Sequence, residues 1–115
     1  MSKEQIKPDV TVVRMRGSIH SGPDCRRVER EVEELAQAGQ VHLIFDFSGL
    51  THIDSSAIGS VVKCLTTLKR ANGDLRIAGV KGMLEGTLRL TQVDRVIAIF
   101  PTSADAAVDF PKQAA

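Results

Sequence analysis

Residues 41 to 73 read VHLIFDFSGLTHIDSSAIGSVVKCLTTLKRANG. The opening part, 41 to 47, is a nearly continuous apolar run, the pattern of a strand buried on both faces as in a parallel sheet. After a link, SGLTHI at 48 to 53, the period changes: Ile58, Val61, Val62, Leu65 and Leu68 recur at three- and four-residue intervals, and Gly73 supplies a stop. That spacing predicts an amphipathic helix of about four turns. A buried strand followed by such a helix is the first half of a right-handed crossover, so the expected sheet is mostly parallel.

The flanking sequence repeats the alternation. Residues 10 to 17, VTVVRMRG, carry the β-branched content of a strand closed by Gly17, and a short leading strand is expected near 5 to 8. Ser21, Gly22 and Pro23 read as a turn and helix start, followed by Cys25, Val28, Val32, Leu35 and Ala36 at helical spacing up to Gly39. The opposite side of that helix, with Arg26, Arg27, Glu29, Arg30, Glu31, Glu33 and Glu34, reads as a solvated face. Further on, a strand is predicted over 75 to 80, a helix over 83 to 91 and a strand over 96 to 100, with Ser103 capping a last helix through Val108. The expected fold class is α/β: one domain over 1 to 115, ordered from about residue 8 to about 110 with loose termini. Its mostly parallel sheet should have about four to five strands, with helices packed against it.

An apolar fraction of 43% and a charged fraction of 25% exclude a disordered, collagenous or coiled-coil chain. A formal net charge of +1, with acids and bases interspersed, gives no field that gathers nucleic acid. The polar start MSKEQIKPDV lacks the apolar segment of a signal peptide, and no apolar run approaches the roughly 20 residues that span a bilayer. A cytoplasmic protein without membrane insertion is therefore expected. Cys25 and Cys64 fall on the apolar stripes of predicted helices and read as small buried hydrophobes. His20, His42 and His52 have no ligand spacing with each other or with the cysteines, so neither metal nor cofactor is expected.

The remaining feature is Asp54-Ser55-Ser56 at the strand-to-helix junction. Taken alone it is a helix cap, because Asp and Ser side chains accept bonds from the orphan amides of a first turn. In its setting it resembles the STAS family, whose name joins sulfate transporters with anti-sigma factor antagonists. An aspartate, two hydroxyl residues and a small residue open this helix in that family. The resemblance extends over nearly the whole chain: the early strand with Gly17, the buried strand at 41 to 47, Asn72-Gly73 before the next strand, and Leu90-Thr91 leading into Val96-Ile97.

What the resemblance implies is an anti-sigma factor antagonist that binds an anti-sigma factor serine kinase and releases it when that kinase phosphorylates Ser55. A phosphoserine phosphatase resets the cycle. By the same resemblance Asp54, Ser56, Ala57, His20 and His52 form the surrounding loop and partner contacts, with Ser56 as the helix cap and the charge of Asp54 facing the kinase. Departures from the family pattern are Ala57 and Gln92 where glycine is usual, His20 where an acidic residue is frequent, and Thr87 where an apolar residue is frequent.

An enzyme is not expected, because the chain has no recognisable Ser-His-Asp constellation, no GxxxxGK phosphate loop and no metal set, so no acid, base and nucleophile can be named together. The alternative on the same fold is a STAS module without phosphorylation, serving as a scaffold, an accessory subunit of a lipid-transport complex, or a small-molecule sensor. The edge of a small sheet leaves room for weak self-association.

Overall fold

The computed structural model describes residues 1–19 and 22–111. The elements run β1 (Ser2–Lys7), β2 (Val10–Ile19), α1 (Pro23–Gln37), β3 (His42–Ile53), α2 (Ser55–Arg70), β4 (Asp74–Ala78) and α3 (Met83–Leu90). A 3-10 turn (Val93–Arg95), β5 (Ala98–Phe100) and α4 (Ser103–Ala107) complete them. The strands lie in the order β1-β2-β3-β4-β5 in one sheet. β1 pairs antiparallel with β2, and every other neighbouring pair is parallel.

Alternation along the central strands explains the unbroken apolar run. Leu43, Phe45 and Phe47 point to one face with Val13, Met15, Leu75 and Ile77, where α1, α2 and α3 cover them. Ile44 points the other way with Val10, Val12 and Ala78, under Ala106, Ala107 and Phe110. The second cover is thin and is fastened by polar ties. Arg76 donates to the carbonyls of Ala106 (2.9 Å) and Val108 (2.8 Å), while its guanidinium sits over the rings of Phe110 and Phe100. Lys7 donates to the Ala107 carbonyl at 2.7 Å.

The structure corrects several expectations. The leading strand begins at Ser2 and not near residue 5, so the sheet reaches to the start of the chain. Gly17 does not close β2: with φ of 74° it sits at a register irregularity, and the strand continues to Ile19. The link at 48 to 53 is not a loop but the second half of β3, pairing Gly49, Leu50, His52 and Ile53 with β2. Ser103 is not the cap of α4. Thr102 takes that position and accepts from the Asp105 amide, while the Ser103 hydroxyl donates to Asp46 at 2.9 Å.

Gly73 acts differently from its expected role as a stop. The helix ends through Asn72, which takes the left-handed conformation (φ 63°), and the Gly73 amide closes onto the Leu68 carbonyl at 2.7 Å. Gly73 is required by space, because a Cβ there would run into the carbonyl of Val41. Gln92 also adopts a left-handed conformation, with φ of 63°. A side chain there costs about 1 kcal/mol or more through the contact of Cβ with the following carbonyl. Gln92→Gly is therefore expected to raise stability by about 0.5–1 kcal/mol in chemical denaturation, net of the entropy glycine adds to the unfolded chain.

Candidate functional site

The junction of β3 and α2 is built from its backbone outward. Asp54 leaves the strand in an extended conformation (φ −89°, ψ 172°), and its amide donates to the Ile19 carbonyl at the end of β2, 3.3 Å away. Its carbonyl accepts the first helical bond, from the Ile58 amide at 3.1 Å, and its Oδ1 accepts from the Ala57 amide at 2.8 Å. Asp54 is thus the N-cap, the place the sequence reading gave to Ser56. Any of Asp54, Ser55 and Ser56 could cap by residue type; the register of the first helical bond decides among them.

With capping done by Asp54, Ser55 and Ser56 occupy the first two helical positions, and both are exposed. Their amides have no carbonyl one turn back to receive them, so the positive end of the α2 dipole lies at the two hydroxyls. The next two residues turn inward: Ala57 and Ile58 are buried. Ala57 stands in ordinary helical backbone on the floor of the site, so only a small side chain is required there and the lost glycine freedom costs nothing.

The two serines face different surroundings. Ser56 lines a shallow groove of about 320 Å³ between α1 and α2, together with Arg26, Glu29, Ser60 and Lys63; Ser55 is not among its lining residues. Below Ser56, the buried Ser60 hydroxyl donates to Glu29 Oε2 at 2.7 Å, and Lys63 Nζ lies 2.7 Å from Glu29 Oε1. Hydrogen bonds from Lys63 and Ser60 hold the Glu29 carboxyl below its ordinary value. Glu29 therefore bridges the two helices and does not belong to the solvated face to which its sequence position assigned it. The serine spacing held a signal, since Ser60 is one turn after Ser56, but its partner on another helix left none.

His52 is exposed on β3, with Nδ1 3.2 Å from the Thr51 hydroxyl, which itself donates to the Gly17 carbonyl at 3.0 Å. His20 lies outside the described residues. Cys25 and Cys64 are both buried; burial raises the Cys25 thiol and pushes that of Cys64 up to about 12, so both are protonated at neutral pH and neither is a ready nucleophile. Among the described residues no group of three His, Cys, Asp or Glu side chains is placed to hold a metal ion, and no helix is long and apolar enough to cross a membrane. Below the junction, burial raises the Asp46 carboxyl. The Ser48 amide and hydroxyl, Ser103 and Arg14 outweigh this and leave it lowered.

Two expectations follow. Asp54→Ala should lower stability by about 1 kcal/mol through loss of the cap, whereas Ser56→Ala should change it by less than about 0.5 kcal/mol; equal effects in denaturant titrations would contradict the assignment. Glu29 is depressed in the folded state, so its contribution is fully present above its ordinary value of 4.5 and is lost as pH falls through the lowered one. Thermal melts from neutral pH into the acid range should show Glu29→Gln flattening the acid limb of the stability curve.

The sequence pattern of the STAS domain matches residues 3–106. Among solved structures, a Thermotoga maritima protein described as an anti-sigma factor antagonist superposes with a TM-score of 0.84 at 21% identity, covering 94% of this chain and 92% of that one. The Bacillus anti-sigma factor antagonist SpoIIAA, solved in unphosphorylated and phosphorylated forms, gives a TM-score of 0.74 for the former at 15% identity, covering 98% of each chain. The murine anion transporter Slc26a9 contains the same fold: its TM-score is 0.75 at 17% identity, over 95% of this chain but 19% of the transporter. At these identities the structural likeness is one of fold.

Proposed function

Because the chain belongs to the STAS domain family, we propose that it acts as an anti-sigma factor antagonist: it binds an anti-sigma factor serine kinase and is switched off when that kinase phosphorylates Ser55. A phosphoserine phosphatase restores the binding form, and the output is sigma-factor-dependent transcription in the cytoplasm of a bacterium. The chain itself performs no catalysis in this reading.

The observation that carries it is the division of labour at the helix start. Among the described residues Asp54 supplies the side-chain cap, and Ser55 stands exposed beside it. A kinase can reach such a hydroxyl without unfolding the site. The added phosphate arrives with about −1.5 to −2 charges at the positive end of α2, where anions are favoured, so the fold tolerates it. In a contact surface the same charges must be desolvated or face like charges on the partner, and a loss of about 3 kcal/mol weakens association roughly a hundredfold.

Ser56 is the poorer acceptor in this scheme because it opens into the α1–α2 groove beside Arg26 and Lys63. A phosphate there would sit within the groove against the Glu29–Lys63 pair, and would present less of its charge to a partner. The second reading, a STAS module working without phosphorylation, draws support from the presence of this fold within the much longer Slc26a9 chain.

The test is to incubate the protein with its cognate kinase and Mg-ATP and to follow intact mass for wild type, Ser55→Ala and Ser56→Ala. One phosphate on wild type and on Ser56→Ala, and none on Ser55→Ala, is expected. Ser55→Asp should weaken kinase binding by at least about tenfold, in line with added charge at a desolvated contact. Kinase binding without any modification would favour the unphosphorylated module, and modification of Ser56 would move the switch to the groove.

A further inference from the structure

Along α1 the exposed charges are sorted by sign. Arg26, Arg27 and Arg30 lie in its N-terminal half, and Glu33 and Glu34 follow toward its end. The dipole of a helix favours the reverse order, with anions at the start and cations at the end. Asp24 in the first turn follows that preference, but the last turn holds no basic residue. Arg26 and Arg30, four positions apart, also repel each other on one helix face. A solvated face needs charges, but not in this unfavourable order.

The arginines are also left without partners inside the chain. Ion pairs engage Lys3, Arg14, Lys63, Lys69 and Arg89. Among the described residues Arg16, Arg26, Arg27 and Arg30 enter no ion pair or hydrogen bond, although all four are exposed. The carboxylates one turn along from Arg26 and Arg27 are taken: Glu29 by Lys63 and Ser60, and Glu31 by Lys3 at 2.7 Å. Arg26 therefore acts on Glu29 only at longer range.

These side chains flank the start of α2. Arg26 lines the groove that holds Ser56. Arg27 shares a second hollow with Arg16, Asp24 and Ile19, and the Ile19 carbonyl is the one that receives the Asp54 amide. Arg30 extends the patch by one turn. Four arginines against Asp24 and Asp54 leave two net positive charges beside the exposed serines.

We propose that Arg16, Arg26, Arg27 and Arg30 form an electrostatic docking surface for an acidic face of a protein partner, which on the reading above is the kinase that modifies Ser55. A phosphate on Ser55, carrying about −1.5 to −2 charges, cancels the local positive balance and meets the partner's carboxylates as a like charge. Attraction is thereby turned to repulsion by one group. Duplex nucleic acid or an anionic membrane fits this surface less well. Either would run on from the arginines to Glu33 and Glu34 of the same helix, and a net charge of +1 gives little long-range attraction to a polyanion.

Stopped-flow association of the full chain with that kinase tests this. The rate should fall about tenfold between about 50 mM and about 300 mM salt as screening grows. Arg26→Glu with Arg27→Glu should slow association about tenfold and flatten the salt dependence. That double variant should melt no lower than wild type, because it brings anions to the helix start, and this separates lost docking from lost fold. Glu33→Gln with Glu34→Gln, at the other end of α1, should leave the rate within about twofold. Equal rates for wild type and the arginine double variant overturn the proposal. So does binding of about 1 μM or tighter to a short DNA duplex, or to vesicles of phosphatidylcholine and phosphatidylserine, that the same double variant abolishes. Intact mass keeps the docking surface and the switch apart. Equal rates with one phosphate still placed on Ser55 remove the docking surface and leave the switch. A slowed double variant, with Ser55 never modified in wild type, removes the switch and leaves the docking surface.

Discussion

The junction between β3 and α2 hangs on one residue, Asp54, whose three hydrogen-bonding groups each fasten a different piece of structure. Its amide holds the end of β2, its carbonyl starts α2, and its carboxylate closes the first turn onto Ala57. An unpaired helix start beside a buried floor would leave amides without partners, each costing about as much as a lost hydrogen bond. With Asp54 in place the first turn is closed, Ala57 and Ile58 are buried, and the two serines are left outside. The exposure of Ser55 follows from the cap.

Beneath this junction the sheet supplies the frame. β2 and β3 pair from Thr11 and Leu43 out to Ile19 and Ile53, well past the point at which β4 stops accompanying β3 at Asp46. The extended ribbon carries Asp54 clear of the sheet body and presents the start of α2 at its end. Its irregularities near Arg14 to Arg16 and Gly17 to Ser18 let the two strands keep company despite unequal spacing. On the far side α1 is tied to α2 by Glu29, Ser60 and Lys63, so the helix bearing the serines is held laterally as well as at its tip.

Much of this was legible in the sequence, for reasons that differ by element. The run at 41 to 47 declared a two-faced strand because both faces are covered, and α2 declared itself by its three-and-four spacing. Residues 48 to 53 read as a loop because that part of β3 has only one neighbouring strand, leaving Ser48, Gly49, Thr51 and His52 exposed with the composition of a turn. Position 92 lies in the left-handed region, a conformation that glycine adopts without strain. Which residue capped α2 was not legible, since Asp and Ser serve equally by type. Nor was the Glu29 bridge, since a carboxylate at the margin of an amphipathic helix shows no partner in its own segment. The family was legible through motif order, and the sequence pattern of the STAS domain over residues 3–106 agrees with it.

The central claim is that a charge added at Ser55 alters the surface and leaves the fold intact. Its most direct measurement places phosphoserine at position 55 by genetic encoding and compares amide chemical shifts and hydrogen exchange with the unmodified protein. The account predicts shift changes confined to the Asp54 turn and the adjoining start of α1, with protection in β3, β4 and the body of α2 unchanged. Loss of protection along β3 or α2, or a lowered melting temperature, would contradict it by showing that the serine is structural.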